Sequence, residues 1–142
     1  MEGEDKKLSL SLLSLVEQKV LLKGVFSFDK QDTQRTNFSS SRLPIFISHN
    51  VELDERAQAD ASSLLLSFRS ISFQSTIFFL GEEYIVVSVG ERSMYLRPIS
   101  GTRIGLFLMK SKSEKFTCIG WQNPSCPPNK VMGEMMKACR NF

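Results

Sequence analysis

Residues able to do chemistry are few and scattered. His49 is the one histidine of this 142-residue chain. It has no cysteine neighbour and is expected in a loop, so it lacks the clustered ligands that a metal site requires. Cys118, Cys126 and Cys139 are odd in number and contain no CxxC, so they cannot all pair internally, and reduced thiols of a cytosolic protein are expected. Cys126, between Ser125 and Pro127, is read as an exposed thiol with no base or helix N-terminus to lower its pKa. Serines are plentiful, but none lies in GxSxG, and neither GxGxxG nor GxxxxGK[ST] is present. Glu82 and Glu83 are adjacent, so in a strand they point to opposite faces and make a poor acid/base pair. No catalytic, metal or cofactor constellation is assembled, and a binding protein is expected rather than an enzyme.

Composition agrees with a single globular domain over residues 1–142, with 42% hydrophobic and 23% charged residues. The net charge of +3 is too small and too dispersed to argue for nucleic acid, although it permits weak attraction to an anionic membrane surface. The run LSLSLLSLV is nine residues long. It is too short to span a bilayer and has no clear cleavage site, so neither a membrane span nor a signal peptide is expected. Asn37-Phe38-Ser39 fits a glycosylation acceptor, but nothing else points to secretion.

The elements follow from periodicity. Leu8, Leu12, Leu15 and Val16 share one face of a first helix, Lys6 to Gln18. KVLLKGVFSF reads as a strand and LPIFISH as a short one, held to an edge or its first residues by Pro44. The polar stretch 29–42 between them reads as a long loop or loosely formed insertion. Asp54 caps a second helix whose apolar face carries Ala57, Ala61, Leu64, Leu65 and Phe68. After it the spacers Gly81-Glu82, Gly90-Glu91, Pro98 to Gly101 and Lys110 to Lys115 divide what is read as a four-stranded antiparallel meander. The architecture expected is α+β: a central antiparallel sheet of six to seven strands, the terminal helices on one face and the middle helix on the other.

The closing segment NPSCPPNKVMGEMMKACRNF contains a last helix, Asn129 to Arg140. Pro127 and Pro128 stiffen its start and Asn129 is its expected N-cap. Met132, Met135, Met136 and Cys139 form an apolar stripe. Lys130, Glu134 and Lys137 lie opposite, with Lys130 and Glu134 spaced to pair across one turn.

Three stretches of the second half, roughly Arg69 to Phe142, resemble the profilin family of actin-monomer-binding proteins. GERSMYLR, residues 90–97, is close to the animal pattern GExSMxLR. NKVMGEM, residues 129–135, matches NKxxxEM at the start of the family's last helix. IGWQNP fits the glycine-aromatic-x-x-proline turn ahead of that helix. The resemblance implies an actin-binding face made of the last helix and neighbouring strands, with Asn129, Lys130, Glu134, Arg97 and Glu91 as contacts and Phe73 as an aromatic contact ahead of the meander. Ser88 and Glu83 stand where animal profilins carry basic residues.

The family's platform for proline-rich segments uses a tryptophan and a tyrosine of the first helix and a histidine and a tyrosine near the C-terminus. Here the first aromatic is Phe26, Ala138 falls at the histidine position, and Trp121 lies elsewhere. Proline rings need such aromatic surfaces, so proline-rich ligands are not expected. The resemblance further implies a cytoplasmic, cytoskeletal protein that regulates filament assembly and nucleotide exchange on actin. Two other readings fit the same elements. One is an adaptor of roadblock or longin type bound to a non-actin protein. The other is a module for anionic phosphoinositide lipids using Lys110, Lys112 and Lys115, which fall in one expected hairpin turn.

Overall fold

The computed structural model describes residues 2–28, 45–66, 74–100, 104–113, 115–140 and 142. Its elements in chain order are α1 (Glu2–Glu17), β1 (Leu21–Phe28), β2 (Ile45–His49), α2 (Glu55–Leu66), β3 (Thr76–Phe79), β4 (Glu82–Val89), β5 (Ser93–Pro98), β6 (Leu106–Lys110), β7 (Phe116–Gln122) and α3 (Pro128–Cys139). The seven strands form one sheet in the order β2-β1-β7-β6-β5-β4-β3, with every pairing antiparallel. Stretch 29–42, Phe68, Phe73 and the glycosylation-like triplet lie outside the described residues.

α1 begins ahead of the expected Lys6, because the apolar period starting at Leu8 carries no information about a polar lead-in. It closes on a left-handed residue, Lys19 (φ 63°), where Lys19 N–H donates to Val16 O and Val20 N–H to Leu15 O. This pair of bonds satisfies the last carbonyls of the helix. α2 is capped as its sequence suggests: the Asp54 carboxylate accepts from Ala57 N–H at 2.8 Å.

The meander has five strands, not four, since four spacers separate five runs. The short TIFF run is a strand of its own, joined to β4 by a two-residue turn with Leu80 at φ 51° and Gly81 at φ 82°. Two successive positive φ values match the twist of a tight hairpin. The unusual Leu80 conformation is held from α2, whose Asp60 carboxylate accepts the Leu80 N–H at 3.3 Å.

Two apolar clusters sandwich the sheet. On one face Leu8, Leu12 and Leu15 of α1 meet Val131, Met135 and Cys139 of α3 over Phe26, Phe107 and Cys118. On the other, Ala61 and Leu64 of α2 cover Phe79, Val86, Leu96 and Trp121. The terminal helices share one face and the middle helix takes the other, as expected. Trp121 stacks on Phe79 at 5.7 Å on the α2 side. It is therefore separated by the sheet from α1 and α3.

Candidate functional site

α3 carries most of the residues singled out in the sequence, and its seating decides which way they point. Pro128 occupies the first turn and Pro127, not Asn129, is the N-cap, without a side-chain capping bond. Proline suits the first turn because its missing N–H has no partner there in any helix. The buried set is Val131, Met135 and Cys139, at i, i+4 and i+8. Met132 is only partly buried and Met136 is 52% exposed. The expected stripe is thus rotated: Val131 replaces Met136, and Met136 joins the outer side. Contact with the sheet is close because β7 has glycine beneath the helix: a Cβ at Gly120 would lie 3.1 Å from Met135 Sδ.

Asn129 and Lys130 are exposed on the first turn of α3. Glu134 is half-buried and pairs with Lys137 at 3.4 Å rather than with Lys130. Such an exposed pair contributes little to stability.

α1 packs over β1 and β2, and α3 over β6 and β7. On the same face, β3, β4 and β5 present Thr76, Phe78, Glu83, Ile85, Tyr95 and Arg97, register partners or i+2 neighbours of one another. Thr76, Phe78 and Arg97 are exposed and the other three half-buried, whereas Tyr84, Val86, Met94 and Leu96 point into the core under α2. An open band of sheet therefore lies beside α3. Tyr95 joins band and helix: it stacks on Phe107 at 4.5 Å and packs against the same cluster as Met132. Ser88, the register partner of Tyr95, and Glu83 lie on this band too.

Arg97 stands on this band, paired in register with Ile85. Glu91 is exposed in the β4–β5 turn and lines a groove of about 370 Å³ against Met136 of α3 and Arg140, the residue that follows the helix. Lys110 and Lys112 line the same groove with Arg92, while Lys115 is exposed further along the turn. Lys110 itself ends β6 rather than lying in the turn. Sequence reasoning missed Phe78, 69% exposed, because two consecutive phenylalanines hide which of them faces out. It also missed Ile85, whose strand is apolar at most positions, and Arg92 and Arg140, which matched no motif.

The remaining chemistry-bearing residues fall elsewhere. His49 ends β2 instead of lying in a loop, and its Nε2 is 3.0 Å from Ser9 Oγ of α1. Cys126 is buried, not exposed, against the α1–α3 cluster. Cys118 and Cys139 are free thiols whose sulfurs are 3.3 Å apart. Burial and this contact push the Cys118 thiol well above its ordinary pKa, the hydrogen bond with Cys139 being the larger cause. Among the described residues no group of three or more His, Cys, Asp or Glu side chains is placed to hold a metal.

The sheet order, the paired terminal helices and the band beside α3 can be compared with solved structures. LokiProfilin1 superposes with a TM-score of 0.65 at 13% identity, over 96% of this chain and 95% of that one. The chain has the profilin fold. Profilin IB of Acanthamoeba castellanii matches with a TM-score of 0.59 at 13% identity, covering 87% of this chain and 86% of that one. LokiProfilin2, solved as a complex with rabbit actin, gives 0.59 at 14% identity over 99% and 96%. No protein-family model and no curated protein matches the sequence. At these identities it is the profilin architecture that is shared. The terminal helices that flank the proline-rich platform in the family are here joined by aliphatic and sulfur-bearing side chains, Leu8 and Leu12 meeting Met135 and Cys139. Phe142 lies against Phe116 with ring centroids 6.2 Å apart.

Proposed function

We propose that the chain binds monomeric actin, using the open band of β3–β5 together with the outer side of α3. The single observation behind this reading is the band itself: Phe78, Ile85 and Arg97 lie side by side next to a helix whose polar side carries Asn129, Lys130 and Glu134. Exposed aromatic and aliphatic groups bordered by charges are what a protein interface uses for anchoring and for specificity. LokiProfilin1 and LokiProfilin2, which share the fold, have each been solved with rabbit actin. Arg97, Glu91, Asn129, Lys130 and Glu134 are the contacts, and Phe73 is a further one. The protein caps the monomer, regulates filament assembly and nucleotide exchange on actin, and performs no reaction of its own. It works in the cytoplasm with the cytoskeleton; among the described residues no helix is long and apolar enough to cross a membrane. Among the described residues no aromatic ring of α1 or α3 offers proline-rich segments a stacked platform, and they bind weakly or not at all. Titration of the chain with monomeric actin tests the reading, and a chain that leaves actin unbound is instead an adaptor for another protein.

A phosphoinositide reading has one observation in its favour. Lys110 and Lys112 share their groove with Arg92 and Arg140, a local excess of positive charge of the kind that attracts anionic headgroups. Co-sedimentation with phosphoinositide vesicles, with neutral vesicles as control, tests it.

A further inference from the structure

Cys118 lies in the middle of β7, paired in register with Met109 of β6 and Phe26 of β1. Cys139 is the last residue of α3. Their side chains meet between helix and sheet, sulfur to sulfur at 3.3 Å, with Cys118 1% and Cys139 3% exposed. Cys126 precedes the first turn of α3, and a helix rises 1.5 Å per residue, so it sits on the order of 18 Å from Cys139. The pair is therefore particular among the three cysteines.

One side of the pair approaches solvent. The groove between the β4–β5 turn and α3 has Cys139 in its wall, beside Met109, Met136 and Arg140. A small neutral oxidant entering this groove reaches Cys139 first, since Cys118 is not among the residues that line it.

We propose that Cys139 and Cys118 form a peroxide-oxidisable dithiol, a covalent modification site that ties the last turn of α3 to β7. The inference goes beyond actin binding and needs no partner. In the first step the Cys139 sulfur attacks one oxygen of a hydroperoxide, the O–O bond breaks, and Cys139 becomes a sulfenic acid as water (or an alcohol) leaves. In the second, the Cys118 sulfur attacks the Cys139 sulfur, the S–O bond breaks, the Cys118 proton goes to the departing hydroxyl, and water leaves. Two thiols and one peroxide give one disulfide; the peroxide takes the two electrons. A disulfide needs its sulfurs at about 2.05 Å, so a small closing movement of the last turn suffices. The second step is intramolecular, and holding the reacting atoms in contact replaces a slow encounter between separate molecules. Cys139, in the groove wall, is the first target, and Cys118, which does not line the groove, is the resolving thiol.

The test treats the full chain, folded, with hydrogen peroxide, then unfolds it in the presence of an alkylating agent and maps thiols by mass spectrometry. Met136, which is exposed in the same groove, reports by its own oxidation that peroxide has arrived. Expected is loss of alkylation at Cys118 and Cys139 together, a Cys118–Cys139 crosslinked peptide, full alkylation of Cys126, and recovery of all three on reduction. A Cys118→Ser variant is expected to accumulate a dimedone-reactive sulfenic acid at Cys139, and Cys139→Ser to show none at Cys118. Oxidised Met136 with all three cysteines still alkylated in the wild type overturns the proposal, as does a crosslink through Cys126. The wild-type mapping stands even if either variant fails to fold.

Discussion

Ile85 of β4 and Arg97 of β5 are register partners on the sheet face that carries α3, Arg97 exposed and Ile85 half-buried. Their neighbours on the same strands, Tyr84, Val86 and Leu96, are buried beneath α2. The alternation of the two strands thus separates a face that holds the fold together from a face free to bind.

Reversing the charge of Arg97 should accordingly affect binding alone. Exposed substitutions usually change stability by within about 0.5 kcal/mol. Opposing a partner's acidic surface, Arg97→Glu is expected to weaken actin binding by about 1–3 kcal/mol. Parallel thermal melts and actin titrations of the variant check this, and a large fall in melting temperature would place Arg97 in the core instead.

Met135 is the reverse case. It is 1% exposed and packs over Gly120, and truncating a buried methionine typically costs about 2–5 kcal/mol. Met135→Ala is expected to lose stability in that range in urea unfolding. Met136→Ala, on the outer side of the same helix, should lose much less.

The Cys118 thiol sets a sign for alkaline stability. Its folded pKa is raised above the ordinary 9.0, so the folded chain keeps a proton that the unfolded chain releases. Stability from this group is complete below pH 9 and declines as pH rises towards the folded pKa. Urea midpoints measured under reducing conditions should fall as pH rises above 9, and less steeply in Cys118→Ala.

Binding of polyproline should be absent or weak, because no aromatic precedes Phe26 and Ala138 stands at the histidine position, so stacking rings are lacking. Calorimetric titration with polyproline checks this; ordinary profilin affinity would mean that other aromatics, Phe142 among them, rebuild the platform.

Much of this architecture is legible in the residues. Leu8, Leu12 and Leu15 repeat at helical spacing, Asp54 precedes its helix as an acceptor, and each turn of the meander announces itself by glycine, proline or lysine. The rotation of α3 was not legible, because Val131, Met132, Met135 and Met136 offer two overlapping apolar stripes. The stripe containing Val131 and Met135 is the one that docks on the sheet, where Met135 comes close to Gly120 of β7, a contact made in the packed fold and not by local spacing. The open band was hidden for a related reason. β3 and β4 carry apolar residues on both faces, and α2 covers one while α3 stops short of the other, which is a matter of tertiary placement. The contact between Cys118 and Cys139 likewise arises from docking of a helix on a strand and leaves no local signature.

The measurement closest to the central claim is a titration of wild type, Lys130→Glu and Lys112→Glu with monomeric actin, by sedimentation or fluorescence. Lys130 is exposed on the first turn of α3 and Lys112 in the β6–β7 turn. Expected is saturable binding by the wild type, a loss of roughly 5- to 150-fold for Lys130→Glu, corresponding to about 1–3 kcal/mol, and nearly unchanged affinity for Lys112→Glu. A folded wild-type chain that leaves actin unbound would contradict the reading outright. Tight binding unaffected by both Lys130→Glu and Arg97→Glu would move the actin interface away from α3 and β5.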